Sequence, residues 1–434
     1  VFGRILQLFF RRIEVNGADR VPRTGPVVFA VNHPNALVDP LLLLCFAPRP
    51  VSFLAKAPLF RMPVVGWFVK RLDSIPVYRR QDQADTSENR ETFARARSLL
   101  ARGGTIAIAP EGTSHSGPGL RPLKTGAARI ALGATPGTAV TIVPVGLFYT
   151  DKAVFRSGVL IYYGEPFSVQ PAALGETGEP DPAQVAAVTQ QLATRLESLV
   201  INADDEAAVL IAARVEPILA AVAPGAAPPR LAEALSIRQR LVAGYRRLKQ
   251  RHPALLDRTL RRLDRLERAF DAAKLDPTRA TPARLGLAPF LAAVGRLVIR
   301  VAILLPVAIP GLVVHYPAYR LIRPLATSFA RGHRDVIATA KIAAAAILYP
   351  LTWIAVGLLV GTRFGWPLGL AAGLGSPLAG YAALRLVERF DRFVSTSRAV
   401  GLHLIDRERL SRLVAERESL RRDLVTLADR LDLG

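Results

Sequence analysis

A single cysteine and a single methionine occur in 434 residues. With only Cys45, a disulfide scaffold and a cysteine-rich zinc site are both excluded. Cys45 lies in the apolar run LLLLCF, which predicts a buried, inert thiol rather than a nucleophile. Acid is also scarce: 35 Asp+Glu stand against 57 Lys+Arg, a formal net charge of +22. Lysine supplies only seven of those cations, so arginine dominates. The chain is nevertheless apolar, with half its residues hydrophobic and a mean hydropathy of +0.26. That excludes a disordered chain or one that only wraps nucleic acid. No nucleic-acid recognition motif accompanies the charge, so no nucleic-acid partner is expected. The six histidines include no set with ligand spacing, so no metal is expected.

The opening VFGRILQLFFRR is no secretory signal, because Arg4 splits a short apolar stretch and no small-residue cleavage site follows. An interfacial amphipathic helix and an ordinary first core helix fit it equally well. Residues 1–170 then alternate short β-branched runs with helical patterns. Strands are expected at 27–32, 51–55, 74–77, 105–109, 139–147 and 159–164, with helices over 87–102 and 124–134 between them. Strands apolar throughout imply an α/β domain with a mixed sheet covered by helices on both faces. Pro, Gly, Glu and Asp at 171–182 mark a boundary. Residues 171–286 form a basic helical region, with 15 basic against six acidic residues over 230–284. Leu248, Leu255, Leu256, Leu260, Leu263 and Leu266 recur there near helical spacing.

Residues 287–385 change character. Residues 342–362 and 364–384 are each 21 residues without a charge. At about 1.5 Å per residue such a helix reaches ~31 Å, one hydrocarbon thickness. The two runs predict a membrane-embedded helical hairpin, kinked by Pro350, Pro367 and Pro377. The run 301–314 has only 14 residues and reads as re-entrant or interfacial. Arg320, Arg323, Arg331, Arg334 and Lys341 surround Asp335 alone in 316–341, and Arg385 follows the last run. The positive-inside tendency puts both flanks, and with them the N-terminal domain, on the cytoplasmic side. Residues 386–434 form a last amphipathic helix with Leu410, Leu413, Leu420, Leu424, Leu427 and Leu431 in a stripe. A short coiled coil, hence a homo-oligomer, and a helix docked on the rest of the chain fit it equally.

The chemistry concentrates just past strand ends. Asn32-His33-Pro34-Asn35-Ala36-Leu37-Val38-Asp39-Pro40 follows the first apolar strand. A carboxylate in the same turn fixes an imidazole's tautomer and leaves the other ring nitrogen to take a proton from a hydroxyl. Pro110-Glu111-Gly112-Thr113-Ser114-His115 follows another strand, and Lys124 is expected at the start of the next helix, where backbone donors favour an anion. The glycines of a P-loop are missing before Lys124, and Ser116 replaces the second glycine of a serine-hydrolase elbow. Ile75-Pro76-Val77-Tyr78-Arg79-Arg80 ends a strand in two arginines, either of which, with Lys124, suits a phosphate.

Taken in order, NHPNALVDP, IPVYRR, APEGTSHS with LKTGAARIAL, and IVPVG resemble the four motifs of the glycerophospholipid acyltransferase superfamily, over about residues 20–168. The resemblance implies that family's fold. It also implies an enzyme that esterifies glycerol 3-phosphate or its monoacyl derivative from acyl-CoA or acyl-carrier protein as co-substrate, with no bound cofactor. His33 matches the general base and Asp39 its orienting carboxylate. Arg79 matches the phosphate-binding arginine, with Arg80 as an alternative. Glu111, Gly112, Thr113, Ser114 and His115 match the acceptor motif, Lys124 the basic residue after it, and Pro144 the fourth motif at the acyl or thioester site. Five residues, not the usual four, separate His33 from Asp39, and the usual EGTRS reads Glu111-Gly112-Thr113-Ser114-His115. Both departures resemble the glycerol-3-phosphate/dihydroxyacetone-phosphate acyltransferase branch. That branch also carries a segment like Phe155-Arg156-Ser157-Gly158, a helical insert and C-terminal membrane segments. Anionic membrane lipids are the expected surface partner of a +22 chain. The competing reading is a basic, non-catalytic lipid-binding scaffold on the same fold.

Overall fold

The structure is a computed structural model and describes residues 2–78, 89–176, 178–219, 229–275 and 287–430. It divides into two compact units. The first comprises Val1–Glu206, Leu231–Gln239 and His333–Thr339. Its sheet has eight strands: β1 (Arg12–Asn16), β2 (Val27–Val31), β3 (Ser52–Lys56), β4 (Ile75–Val77), β5 (Thr105–Ile108), β6 (Val140–Tyr149), β7 (Gly158–Tyr163) and β8 (Phe167–Val169). They run in the order β1-β7-β6-β2-β5-β3-β4, with β8 beside β6. Only the β6–β7 and β6–β8 pairs are antiparallel, so the sheet is mixed, as expected. Every residue of β2 is buried. A central strand with apolar side chains on both faces needs cover on both.

Eight helices contribute to or border this unit: α1 (Phe2–Phe9), α2 (Val38–Phe46), α3 (Pro63–Arg71), α4 (Asn89–Ala101), α5 (Gly126–Leu132), α6 (Pro182–Glu197), α7 (Glu206–Leu219) and α8 (Leu231–Arg251). On one face, Phe93, Ala96, Leu99 and Leu100 of α4, Ile130 of α5, and Val185 and Leu192 of α6 join Val28, Ile106 and Ile142 in one core. Leu231, Ala234 and Leu235 of α8 pack with Phe148 and Leu160. The expected boundary at 170/171 moves, because Val185, Leu192 and Leu196 of α6 are buried and tie that helix into the α/β core. The choice left open at the N-terminus falls to a packed helix: Leu6, Phe9 and Phe10 are buried, and Phe10 lies against the Tyr149 ring at 5.8 Å. Phe155-Arg156-Ser157-Gly158 secures that helix, with Arg156 donating its backbone N–H to the Phe9 carbonyl at 2.7 Å and its guanidinium to that of Leu8 at 3.1 Å.

The second unit contains most of α7, the end of α8, and α9 (Pro253–Ala272), α10 (Leu287–Ala330), α11 (Ile337–Phe364), α12 (Trp366–Ile405) and α13 (Arg407–Arg430). The last helix docks on its own chain: Leu410 and Leu420 of α13 bury against Leu263, Leu266 and Phe270 of α9. Arg262 reaches across to Glu416 at 2.6 Å and to Asp423. In α9 Leu263 and Leu266 face this core and Leu256 is buried, whereas Leu255 is exposed.

The run 301–314 is not a short isolated element. It lies inside the 44-residue α10, which passes through Pro306, Pro310, Pro317 and Pro324. An apolar environment leaves a proline-interrupted backbone no competing water partners, so the helix persists. Among the described residues three helices, not two, are therefore long and apolar enough to cross a membrane: Val301–Ala330, Ile337–Phe364 and Trp366–Phe390. Their side chains face outward, with Leu359 72% and Leu374 78% exposed, which suits hydrocarbon and not water. Gly365, at φ +97, makes the turn between α11 and α12. His315 of α10 is fully satisfied, accepting from the Trp353 indole N–H at 2.9 Å and facing the Gly311 carbonyl at 2.7 Å.

Gly17 and Gly25 both have positive φ, but they differ in surroundings. A Cβ at Gly17 would strike the Tyr163 carbonyl oxygen, whereas one at Gly25 meets nothing. Gly17→Ala is expected to cost about 2 kcal/mol more than Gly25→Ala, since overpacking adds to the shared left-handed penalty. Denaturant titration of the two variants checks this.

Candidate active site

The sheet order brings the motifs together. β2 lies between β5 and β6, parallel to both, with Ala30 opposite Ile108 and Pro144. The segments leaving β2 and β5 therefore emerge side by side at one end of the sheet, where open α/β folds place their ligands. Asn32 fastens the first to β6, donating its side-chain amide to the Leu147 carbonyl at 3.1 Å and accepting the Leu147 N–H at 2.6 Å.

The five residues between His33 and Asp39 turn sharply, with Ala36 at φ +32, and bring Asp39 back to the ring. His33 Nδ1 lies 2.8 Å from Asp39 Oδ2. That oxygen also accepts the Asn35 N–H at 2.7 Å, and the Tyr149 hydroxyl donates to Oδ1. Asp39 stands in the first turn of α2, where the dipole favours a carboxylate. It is 2% exposed, and these donors take the place of water around its oxygens. Burial first, and then the Asp39 charge, push the Tyr149 hydroxyl well above its ordinary range. Tyr149 is thus a fixed donor. With Nδ1–H committed to the carboxylate, His33 Nε2 carries the lone pair. The side chain is 24% exposed, and among the described residues none bonds Nε2.

Glu111 and His115, both matched to the acceptor motif, also make hydrogen bonds within the protein. Glu111 accepts the backbone N–H of His33 and of Arg121, each at 3.0 Å, and pairs with His115 Nε2. His115 Nδ1 accepts the Gly117 N–H at 3.1 Å, and its own N–H reaches the His33 carbonyl at 3.1 Å. Glu111 is a staple joining the two motifs. Burial alone would raise its carboxyl, but the His115, Arg121 and His33 donors together hold it below the ordinary range.

Around this staple, Gly112 takes φ +74, and a Cβ there would lie 2.6 Å from the Lys124 ammonium, so glycine lets Lys124 fold over the turn. α5 begins at Gly126, two residues beyond the expected helix start at Lys124. Thr113 is half-buried, with its hydroxyl on the Ser114 carbonyl at 3.3 Å. Ser114 donates its hydroxyl to Asp335 at 2.6 Å. Pro144 is buried within β6 and lies apart from the hydrogen-bonded cluster. Arg79 and Arg80 lie outside the described residues. Cys45 is half-buried, and burial raises its thiol.

The sequence reading missed Asn32's fastening role, Tyr149, Lys152 and Asp335. Tyr149 had a signal: a hydroxyl-bearing ring ending the apolar run VTIVPVGLFY. Asp335 had one too, as the lone acid in a basic segment.

The family model described as Acyltransferase matches residues 12–147. That match holds all four of the ordered motifs and most of β6. The chain is 27% identical over 297 residues to glycerol-3-phosphate O-acyltransferase 2 of Saccharomyces cerevisiae, covering 64% of this chain and 39% of the relative. Against glycerol-3-phosphate O-acyltransferase 1 of the same yeast, identity is 24% over 82% of this chain and 60% of the relative. A 1-acyl-sn-glycerol-3-phosphate acyltransferase of Borreliella burgdorferi is 30% identical over 35% of this chain and 59% of its own length. The chain thus spans about two fifths to three fifths of these curated relatives. The crystal structure of a 1-acyl-sn-glycerophosphate acyltransferase from Thermotoga maritima overlaps 46% of this chain and 75% of its own at 21% identity and a TM-score of 0.34.

Two predictions follow from the buried carboxylates. Glu111 titrates lower folded than unfolded, so its stabilisation is complete above its ordinary value of 4.5 and fades as pH falls through the lowered folded value. Glu111→Gln is expected to melt below the wild type at pH 7, because one amide cannot satisfy three donors, and the gap should narrow on acidification below pH 4.5. Melting curves across that range check it. Tyr149→Phe removes one donor from a buried anion and should cost about 1.5–3 kcal/mol, measured by denaturant titration.

Proposed function

We propose that the protein is an O-acyltransferase that moves a fatty acyl group from a thioester, acyl-CoA or acyl-carrier protein, to a hydroxyl of glycerol 3-phosphate or 1-acylglycerol 3-phosphate in phospholipid biosynthesis. The observation that carries this reading is the His33 imidazole, bound through Nδ1 to a buried carboxylate 2.8 Å away, inside the segment that matches the acyltransferase family. The printed names of the relatives support the acceptor class.

In the proposed mechanism His33 Nε2 takes the acceptor's hydroxyl proton as the oxygen attacks the thioester carbonyl carbon. The new C–O bond forms, the C–S bond breaks, and the imidazolium returns its proton to the departing thiolate. Asp39 stabilises the imidazolium while remaining ionised, and its other donors keep it aimed at the ring. The acyl group passes directly between substrates. Arg79, Arg80 and Lys124 are the proposed phosphate cations, Gly112 and Thr113 line the acceptor turn, and Pro144 borders the acyl side. Charge attraction of this kind adds roughly 1.5–3 kcal/mol per hydrogen bond to a charged group.

The membrane setting follows from the same substrates. An acyl acceptor or product dissolved in lipid is best met at the interface, and the basic chain is drawn to anionic headgroups. The catalytic unit is assigned to the cytoplasmic side, with Arg320, Arg323, Arg331, Arg334 and Arg385 obeying the positive-inside tendency. Chain parity supports a re-entrant or in-plane course for α10. Leu231–Gln239 and His333–Thr339 belong to one compact unit, and α10 is the one candidate span between them. A single full crossing would strand parts of that unit on opposite faces.

His33→Ala is expected to lower acyl transfer about a thousandfold, and, because it takes a donor from buried Asp39, to lower the melting temperature much as Tyr149→Phe does, so the assay is run well below the variant's melting temperature. Labelled acyl-CoA, each acceptor in turn and separation of lipid products provide the assay. Transfer near the wild-type rate would sink the assignment.

A further inference from the structure

The lone methionine, Met62, and one of the three tryptophans, Trp67, lie on the surface of the first compact unit, 48% and 61% exposed. A single exposed apolar side chain means nothing, but two on adjoining turns make a patch. Both belong to the excursion between β3 and β4, where a short helical turn over Ala57–Arg61 runs into α3. The Met62 N–H bonds the Leu59 carbonyl at 3.2 Å, and the Met62 carbonyl accepts the Gly66 N–H at 2.7 Å. A Cβ at Gly66 would stand 2.5 Å from the Phe60 carbonyl oxygen, so α3 is pressed against the turn. Val69, on the helix face opposite Trp67, is buried. The excursion is a fixed platform, and it presents Met62 and Trp67 outward.

Charge of one sign surrounds them. From Pro40 to Leu72 the chain has five Lys or Arg and no Asp or Glu. Arg49 turns inward, donating to the carbonyls of Pro22, Gly25 and Gly103. Lys56, Arg61, Lys70 and Arg71 are exposed, and among the described residues none of the four pairs with a carboxylate. Lys70 and Arg71 follow Trp67 at helical spacing, on its own face. Lysine is depleted at protein interfaces, whereas tryptophan beside uncommitted cations suits the headgroup level of an anionic bilayer. Lipid is at hand, because the same chain carries three helices apolar enough to cross a membrane.

Topology places the platform usefully. β3 runs parallel to β5, with Phe53 opposite Ala107, and β5 runs parallel to β2. The excursion therefore leaves β3 at the end of the sheet where the His33 and Glu111 segments emerge. It returns to β4 level with Leu54, near that same end.

We infer that this platform is a lipid-docking surface of the catalytic unit: Met62 and Trp67 enter the headgroup layer of an anionic bilayer, and Lys56, Arg61, Lys70 and Arg71 meet its phosphates. The His33 end of the sheet is thereby held at the lipid boundary. Docking needs no turnover, so it stands or falls apart from the acyltransferase reading.

The test uses the full chain in vesicles of phosphatidylglycerol and phosphatidylcholine. In a Cys45→Ala background a nitroxide is attached at Met62→Cys, Trp67→Cys or Val15→Cys. Val15 is 41% exposed near the end of β1, and β1 runs opposite to β2, so it marks the far end of the same sheet. Collisions with oxygen, which concentrates in lipid, are compared with collisions with a water-soluble nickel chelate. The oxygen-to-nickel ratio should be several times higher at positions 62 and 67 than at position 15, and should fall toward the latter in phosphatidylcholine alone. Equal ratios at all three positions overturn the inference. So do ratios that ignore removal of the anionic lipid, and labels immobilised yet open to the nickel chelate, the sign of a protein contact. If a labelled variant fails to fold, the fluorescence difference between wild type and Trp67→Phe decides. Brominated phosphatidylglycerol should quench that difference, and an unquenched difference overturns the inference.

Discussion

An ionised carboxylate taken out of water must be given protein donors, and this requirement organises the catalytic unit. Asp39 and Glu111 are 2% and 4% exposed. Between them they collect donors from the turn after β2, the turn after β5, the backbone at Arg121 and the end of β6. The donors come from separate stretches of chain. Satisfying both anions therefore forces those stretches into one arrangement, and in that arrangement His33 presents a free nitrogen outward. The His33 ring is oriented as a by-product of satisfying buried charge. A half-satisfied network would be worse than none, because a lone buried anion costs several kcal/mol. Such networks assemble as a whole.

The division of labour between the two carboxylates follows from their partners. Asp39 touches the ring and so touches the chemistry. Glu111 touches only backbone and His115, and its lowered titration reports a structural anion held by three donors. A motif position can therefore be essential to a site without meeting a substrate. Position 114 illustrates the reverse. Where the family's usual motif carries an arginine, this chain has Ser114, and the serine is small enough to admit Asp335 from a distant connector. The local charge is changed from positive to negative by that exchange, and Lys152 offsets it.

Much of this was legible in the residues themselves. Strands apolar on both faces announced a covered sheet, and a His and an Asp in one turn after the first apolar strand pointed to the His33–Asp39 contact. Periodicity located α9 and α13 but left open what α13 packs on, because a leucine stripe looks the same facing another copy or its own chain. The apolar run ending at 314 read as short because Arg320 and Arg323 interrupt the hydropathy. The backbone ignores them and continues to Ala330, since arginine favours a helix and its long side chain carries the charge away from an apolar surface. Tyr149 and Asp335 were beyond reach for a different reason. Their partners lie 110 and 221 residues away, and no local pattern encodes a contact made only when the sheet order and the connector are both in place.

That last contact ties the turn after β5 to the part of the chain between two apolar helices. The connector from α10 to α11 is short: Ala330 ends one helix and Ile337 begins the next. Arg331 and Gly332, at φ +45 and +87, turn the chain there, and Asp335 follows within a few residues. A carboxylate this far from water needs a donor, and the Ser114 hydroxyl, 221 residues earlier in the chain, supplies one at 2.6 Å, so the short connector is fixed by the same rule that fixes Asp39 and Glu111.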